Sequence, residues 1–281
     1  MPFCSKCGNQ HQDEAQFCPN CGNAVAQNYG NTTQSEYIPT QSGGAAAYAS
    51  PFAVERVADA PTAEQAAFYR KTYLTTGFSF LAWMFLVFVL FDTGIAYKVL
   101  RAMGSVSWLL VLGIFWGASY LGEKLVFDET KEMQYLGLGI YIVAYALIFV
   151  PLINLVIHYS GSYYYAMDNV LIPAFIATAT IFAALTVTVF VTQTDFSFLK
   201  NFVVFGSFFA LGAIVIFTLT GASVGSWFAI AMIALMSGTI LYQTHQIKEN
   251  FDSTQHIGAG AMLFASFIVL LWYVISLLRK E

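Results

Sequence analysis

Six long, predominantly apolar stretches of this chain contain no Asp, Glu, Lys, Arg or His: residues 72–91, 102–122, 133–157, 169–194, 201–244 and 257–278. An α-helix needs about 20 consecutive apolar residues to cross the hydrocarbon of a bilayer. Five of the stretches suit one helix each. The stretch 201–244 holds 44 residues, enough for two, and "TGASVGSW" at 220–227 supplies a Gly/Ser turn between them. The expectation is an all-α membrane protein with seven spans, near 72–91, 104–122, 134–157, 170–192, 201–220, 226–244 and 257–278. Backbone groups in lipid have no water to bond, which favours helices, and the runs are too long for barrel strands. Composition agrees, because 58% of the 281 residues are hydrophobic and 10% are charged. A soluble domain carries about 25% charged residues. The net charge of −4 provides no basic field for nucleic acid.

The N-terminal stretch is of another kind. "FCSKCGNQHQDEAQFCPNCG" at 3–22 holds every cysteine of the chain as two Cys-x-x-Cys-Gly steps. Cys4, Cys7, Cys18 and Cys21 are the ligand set expected for one tetrahedral structural Zn²⁺. So short a module buries too little apolar surface to fold unaided, and metal binding would supply the folding energy. The stretch resembles the short zinc-ribbon modules of bacterial membrane and regulatory proteins, so residues 1–23 are expected to form a zinc ribbon. Residues 24–61 are Gly, Ser, Thr, Gln and Ala rich without apolar period and read as a flexible linker. Thr62 and Gln65 have capping-box spacing, which predicts a helix start at the head of a membrane domain over 62–281.

Orientation follows from charge. On the N-terminal side of the seven expected spans stand Arg70, Lys71, Lys124, Lys131, Lys200 and Lys248; on the other stand Lys98, Arg101, Arg279 and Lys280. That excess places the N-terminus in the cytoplasm, where a reducing compartment also keeps the thiols unoxidised. The start "MPFCSKCGNQ" is polar where a secretory signal would be apolar, so the first span is expected to do the targeting.

The membrane portion resembles the Bax inhibitor-1 family. "FYRKTYLTTGFSFLAWM" at 68–84 resembles the entry to that family's first span. "AFIATATIFAALTVTVFVTQTDFSFLKNFVVFG" at 174–206 resembles its Ala/Thr-rich fourth span and the turn into the fifth. "SGTILYQTHQI" at 237–247 is similar to the end of its sixth. The resemblance runs over about residues 66–279. It implies a bundle with the last helix at its centre, in bacteria an inner-membrane location, and functions reported across the family: pH-sensitive Ca²⁺ leak, stress protection and association with a membrane-bound protease.

At one place the resemblance fails. Where the family's sixth span typically ends Leu-Tyr-Asp-Thr-Gln, this chain has Leu241-Tyr242-Gln243-Thr244-His245. Where its seventh often reads Leu-Tyr-x-Asp-Phe-Ile-Asn, the Asp position falls on Ser266 and the Asn position on Val269. Two neighbouring carboxylates titrate as a unit and offer hard oxygens to Ca²⁺. Gln243 and Ser266 can bond to each other but do not titrate. A Ca²⁺ or other cation path through this bundle is therefore expected to lack an intramembrane acid gate.

Other residues have modest readings. His245 and His256, at the end of the sixth span and the start of the seventh, can respond to pH near neutrality, with interfacial hydration as the expectation. Asp195 is a candidate helix-mouth cation ligand, with capping of the fifth span expected. The fourth-span threonines are expected to bond their own helix. Gly113 and Gly117 mark either a dimer face or, as the favoured expectation, close packing inside the bundle, and Pro151 with Asn154 is expected to kink the third span. No nucleophile stands beside a base and no phosphate-binding loop appears, so no enzymatic activity is expected. Two functions remain: a cation leak, or a non-conducting regulator that binds a membrane protease or other partner through its zinc-ribbon head.

Overall fold

The computed structural model describes residues 56–104, 108–192, 194–221 and 225–279. The zinc-ribbon ligands and nearly all of the linker lie outside them. Among the described residues the secondary structure is helical, with eight helices: α1 Thr62–Asp92, α2 Ile95–Gly104, α3 Trp108–Val126, α4 Lys131–Ser160, α5 Tyr163–Val191, α6 Leu199–Thr220, α7 Ser226–Glu249 and α8 His256–Leu278.

Six of these helices are long and apolar enough to cross a membrane: α1, α4, α5, α6, α7 and α8. They coincide with six of the seven expected spans. The remaining expectation, 104–122, falls on α2 and α3. Helix α2 is amphipathic, because Ala96, Val99, Leu100 and Met103 recur at helical spacing and turn to the core. Lys98 and Arg101 lie on its outer side. Gly94, at φ 72, makes the turn that separates α2 from α1.

The start of α1 departs from the capping-box reading. Thr62 is already helical, Pro61 precedes it, and no side chain caps the end. Gln65 Nε2 instead donates to the carbonyls of Ala60 at 2.9 Å and Ala58 at 3.3 Å. That bond ties α1 to a single 3-10 turn, Val57–Asp59. The Val57 amide donates to the Phe251 carbonyl at 2.8 Å, and its side chain is buried against Phe68, Ile247 and Leu263.

Helix α8 is the axis of the domain. It packs against α1, α3, α4, α5 and α7, while α6 rests mainly on α7. Small residues open it: Gly258, Ala259, Gly260 and Ala261 are all buried. A Cβ on Gly260 would stand 2.8 Å from the Thr75 side chain and 3.0 Å from the Thr72 carbonyl oxygen. Only glycine admits α1 that close. Further along, aromatic rings join α1, α4 and α8. Trp83 meets Phe149 at 5.0 Å, Phe149 meets Trp272 at 5.1 Å, and Phe80 meets Phe267 at 4.9 Å between centroids. Such edge-to-face pairs add about 0.5–1.5 kcal/mol each beyond area burial.

Helix α4 contains an internal proline and α5 a π-helical turn. Pro151 lies inside α4, which continues to Ser160. Within α5, residues Met167–Leu171 form a π-helical turn. The Gly113 and Gly117 expectation is overturned: a Cβ on either would meet nothing within 4 Å. That face of α3 is turned out of the bundle, so the spacing alone does not mark an internal contact.

Candidate functional site

The richest polar constellation lies at the end of α7, where Gln243, Thr244 and His245 are consecutive. A helix turns about 100° per residue, so the three side chains leave it in three directions, and each meets a different neighbour.

Gln243 faces the central helix. Ser266 Oγ of α8 donates to Gln243 Oε1 at 2.7 Å. Ser266 is buried. Helices α7 and α8 are thus joined by a short hydrogen bond between uncharged groups. The bond has a fixed sense, because the hydroxyl donates and the amide oxygen accepts.

Thr244 is fully buried and faces α1 and α5. The Tyr73 phenol interacts with the hydroxyls of Thr186 and Thr244, although none of the three reaches a well-formed hydrogen bond. The contrast along α5 is informative. Thr178, Thr180, Thr188 and Thr192 each donate to their own i−4 carbonyl at 2.7–2.8 Å, as expected for threonines in a membrane helix. Thr186 does not, and turns to Tyr73 instead.

His245 faces the connection between α5 and α6. Its Nε2 stands 3.0 Å from Asp195 Oδ1 and 3.3 Å from Ser197 Oγ. The ring is about 10% exposed, and Asp195 is about 75% exposed. His245 is therefore packed within the fold and paired, not hydrated at the interface. With a proton on Nε2, in the neutral ring or the imidazolium, it donates to the carboxylate. Asp195 does not cap the next helix. Its Oδ1 accepts from the Ser197 amide at 2.8 Å, the local turn that Asp side chains make with the residue two positions on, and α6 begins at Leu199 without a side-chain cap. Hydrogen bonds from the Ser197 hydroxyl and amide, followed by the His245 contact, hold the Asp195 carboxyl below the ordinary carboxylate range. His256 lies elsewhere, half-buried at the first residue of α8 and within electrostatic reach of Lys71 and Lys131.

A second polar seam leads from this hub along α1. Thr72, Thr76 and Ser79 are buried at helical spacing. Thr76 Oγ1 donates both to the Thr72 carbonyl at 3.0 Å and across to the Gly260 carbonyl of α8 at 3.2 Å. Sequence reasoning overlooked Tyr73, Thr244 and Ser197. The period of Thr72, Thr76 and Ser79 was the available signal that α1 turns a polar edge inward. Among the described residues no cluster of three His, Cys, Asp or Glu side chains suits a metal ion.

Comparison with known families agrees with this geometry. The family model described as inhibitor of apoptosis-promoting Bax1 matches residues 65–281. The chain belongs to the Bax inhibitor-1 family. A zinc-ribbon domain model matches residues 3–25. No curated protein matches the chain. The matched region contains the whole hub, both the Gln243–Ser266 bond and the His245–Asp195 contact.

Proposed function

We propose that this Bax inhibitor-1 protein is a non-conducting membrane regulator whose N-terminal ribbon binds a membrane protease or another protein partner. The Ser266–Gln243 hydrogen bond at 2.7 Å carries this reading. An acid-gated path needs charge that appears and disappears with pH at the junction of α7 and α8. A neutral bond there holds the helices together over the whole physiological range. The reading includes no enzymatic activity. It has seven spans, with α3 as the second, in a bacterial inner membrane with the N-terminus in the cytoplasm. Cys4, Cys7, Cys18 and Cys21 hold a structural Zn²⁺ in the ribbon.

One experiment separates this from a Ca²⁺ leak. Purified protein in liposomes is expected to give little Ca²⁺ flux at pH 7 and no acid-dependent step on going to pH 6. The Gln243→Asp/Ser266→Asp variant is expected to gain such a step. Robust acid-stepped flux from the native protein would overturn the reading. Co-purification of a membrane protease that is lost on removing residues 1–23 would support the adaptor role. Elemental analysis is expected to find about one Zn²⁺ per chain, lost in Cys18→Ser/Cys21→Ser.

The second reading, a cation leak in the family's manner, is favoured by one observation. His245 with Asp195 places a titratable contact at the hub's outer edge. In that case His245→Gln removes the pH response of the flux and leaves the Gln243–Ser266 bond in place.

A further inference from the structure

The end of the domain opposite the hub holds a cavity of about 670 Å³ between α1, α4 and α5, with α8 as its floor. This is within the size range of small-molecule sites. Its walls are almost entirely apolar and largely aromatic: Phe80, Trp83 and Phe88 on α1, Phe149 on α4, Phe175 on α5. Asp92 is the one charged residue that lines it; it ends α1 and is exposed, as are Tyr97 and Tyr163, so these three mark the open end.

A π-helical turn and a helix-internal proline meet here. Met167 and Leu171, the ends of the π-helical turn of α5, line one side. Phe149 and Ile153, which flank Pro151, line the other. A π turn inserts a residue into the helical repeat, and such turns recur at functional sites. Proline removes a backbone donor and pushes the preceding turn aside. The π turn and the residues flanking the proline border one cavity.

Depth identifies the chain that fits. Asp92 and Phe80, at the mouth and the inner end, are separated by 12 positions on α1, or ~18 Å at about 1.5 Å per residue. Half of a bilayer's hydrocarbon is about 15 Å. The groove therefore has the length of one acyl chain in one leaflet. The mouth identifies the head. A carboxylate at the rim attracts an ammonium and repels a carboxylate or phosphate, and the interface screens it less than bulk water does. Tyr97 and Tyr163 are both exposed there, and tyrosine rings attract cations through their faces.

We infer that this groove is a binding site for a membrane amphiphile with one long hydrocarbon chain and a protonated amine head. The chain lies along Phe80, Trp83 and Phe175, and the ammonium pairs with Asp92. The inference is independent of whether the bundle conducts ions.

The test uses the full chain in phosphatidylcholine nanodiscs and a diazirine-bearing stearylamine as photolabel, with adducts mapped by mass spectrometry. Labelling is expected on groove segments around Met84 and Met167, competed by excess stearylamine and not by stearic acid or stearyl alcohol. Asp92→Asn is expected to weaken the competition at least about tenfold, and Asp92→Glu to retain it. Leu171→Trp, which fills the groove, should abolish groove labelling for any head group. Asp92 is exposed, so thermal unfolding of Asp92→Asn should match the native protein. Equal competition by stearic acid, unchanged competition in Asp92→Asn, or labelling no higher in the groove than on the outward face of α6 would each overturn the proposal.

Discussion

Helices α6 and α8 are near equals as sequences and opposites in the fold. They are 22 and 23 residues long and similarly apolar. Yet 6% of the spanning window of α6 is buried in the protein, against 56% for α8. Apolarity alone qualifies both for the membrane and cannot rank their depth. Small residues and a placed polar group make the difference. Helix α8 begins Gly258-Ala259-Gly260-Ala261 and carries Ser266 toward Gln243. Helix α6 presents Phe205, Phe208 and Phe209 outward, and Gly212 touches nothing. Lipid chains are as apolar as leucine, so close backbone approach and polar pairing bring helices together where hydrophobicity cannot.

The largest expected effect sharpens that contrast on the α8 side. Gly260→Leu must displace Thr75 and the Thr72 backbone, and overpacking of this kind destabilises by about 1–3 kcal/mol or more. Thermal unfolding in detergent should show a large fall in midpoint or loss of folded protein. A midpoint equal to the native one would mean that α1 does not approach α8 as closely as described.

Next comes the polar pair. Ser266→Ala leaves the half-buried Gln243 amide oxygen without its donor, a loss of about 1 kcal/mol. Gln243→Leu combined with Ser266→Ala should recover much of that, because both partners are then apolar. A double variant no better than the single would remove the hydrogen bond as the reason that α7 and α8 hold together.

A smaller effect is expected at the outer edge of the hub. The Asp195 carboxyl is depressed in the folded protein, so its contribution to stability is present above the unfolded carboxylate pKa of about 3.9. It is lost as pH falls through the lower folded value. Between pH 7 and 5 the carboxylate stays charged. Asp195→Asn should lower the midpoint slightly at pH 6 and become indistinguishable from the native protein well below pH 3. A difference that persists in strong acid would show that Asp195 acts through shape instead of charge.

The smallest prediction returns to α6. Gly212→Ala meets open space, and alanine is the better helix former by about 0.5–1 kcal/mol. The midpoint should hold or rise slightly. A clear fall would reveal a partner on the face of α6 that α7 leaves open.

Much of the architecture was legible as sequence, since five of the six charge-free stretches hold the six long apolar helices, while 102–122 falls on α2 and α3. The Gln243–Ser266 pairing was legible too, because departures from a known pattern at two positions suggest that those positions meet. The His245–Asp195 contact was not. Its residues are 50 positions apart (245 − 195), and each has a satisfactory local reading, hydration for one and capping for the other. Gly113 and Gly117 show the converse, a spacing that permits close packing on a face where no neighbour arrives.

By itself, the sequence determined that this chain enters a membrane as helices, because a bilayer leaves long uncharged segments no other way to satisfy their backbone. It also determined that the α7–α8 junction carries no acid pair. Only the tertiary structure decided that His245 is buried with a carboxylate, and that a helix-internal proline and a π-helical turn border one groove. Those outcomes depend on contacts between residues far apart in the chain, where shape and polar pairing, not local composition, set the energy.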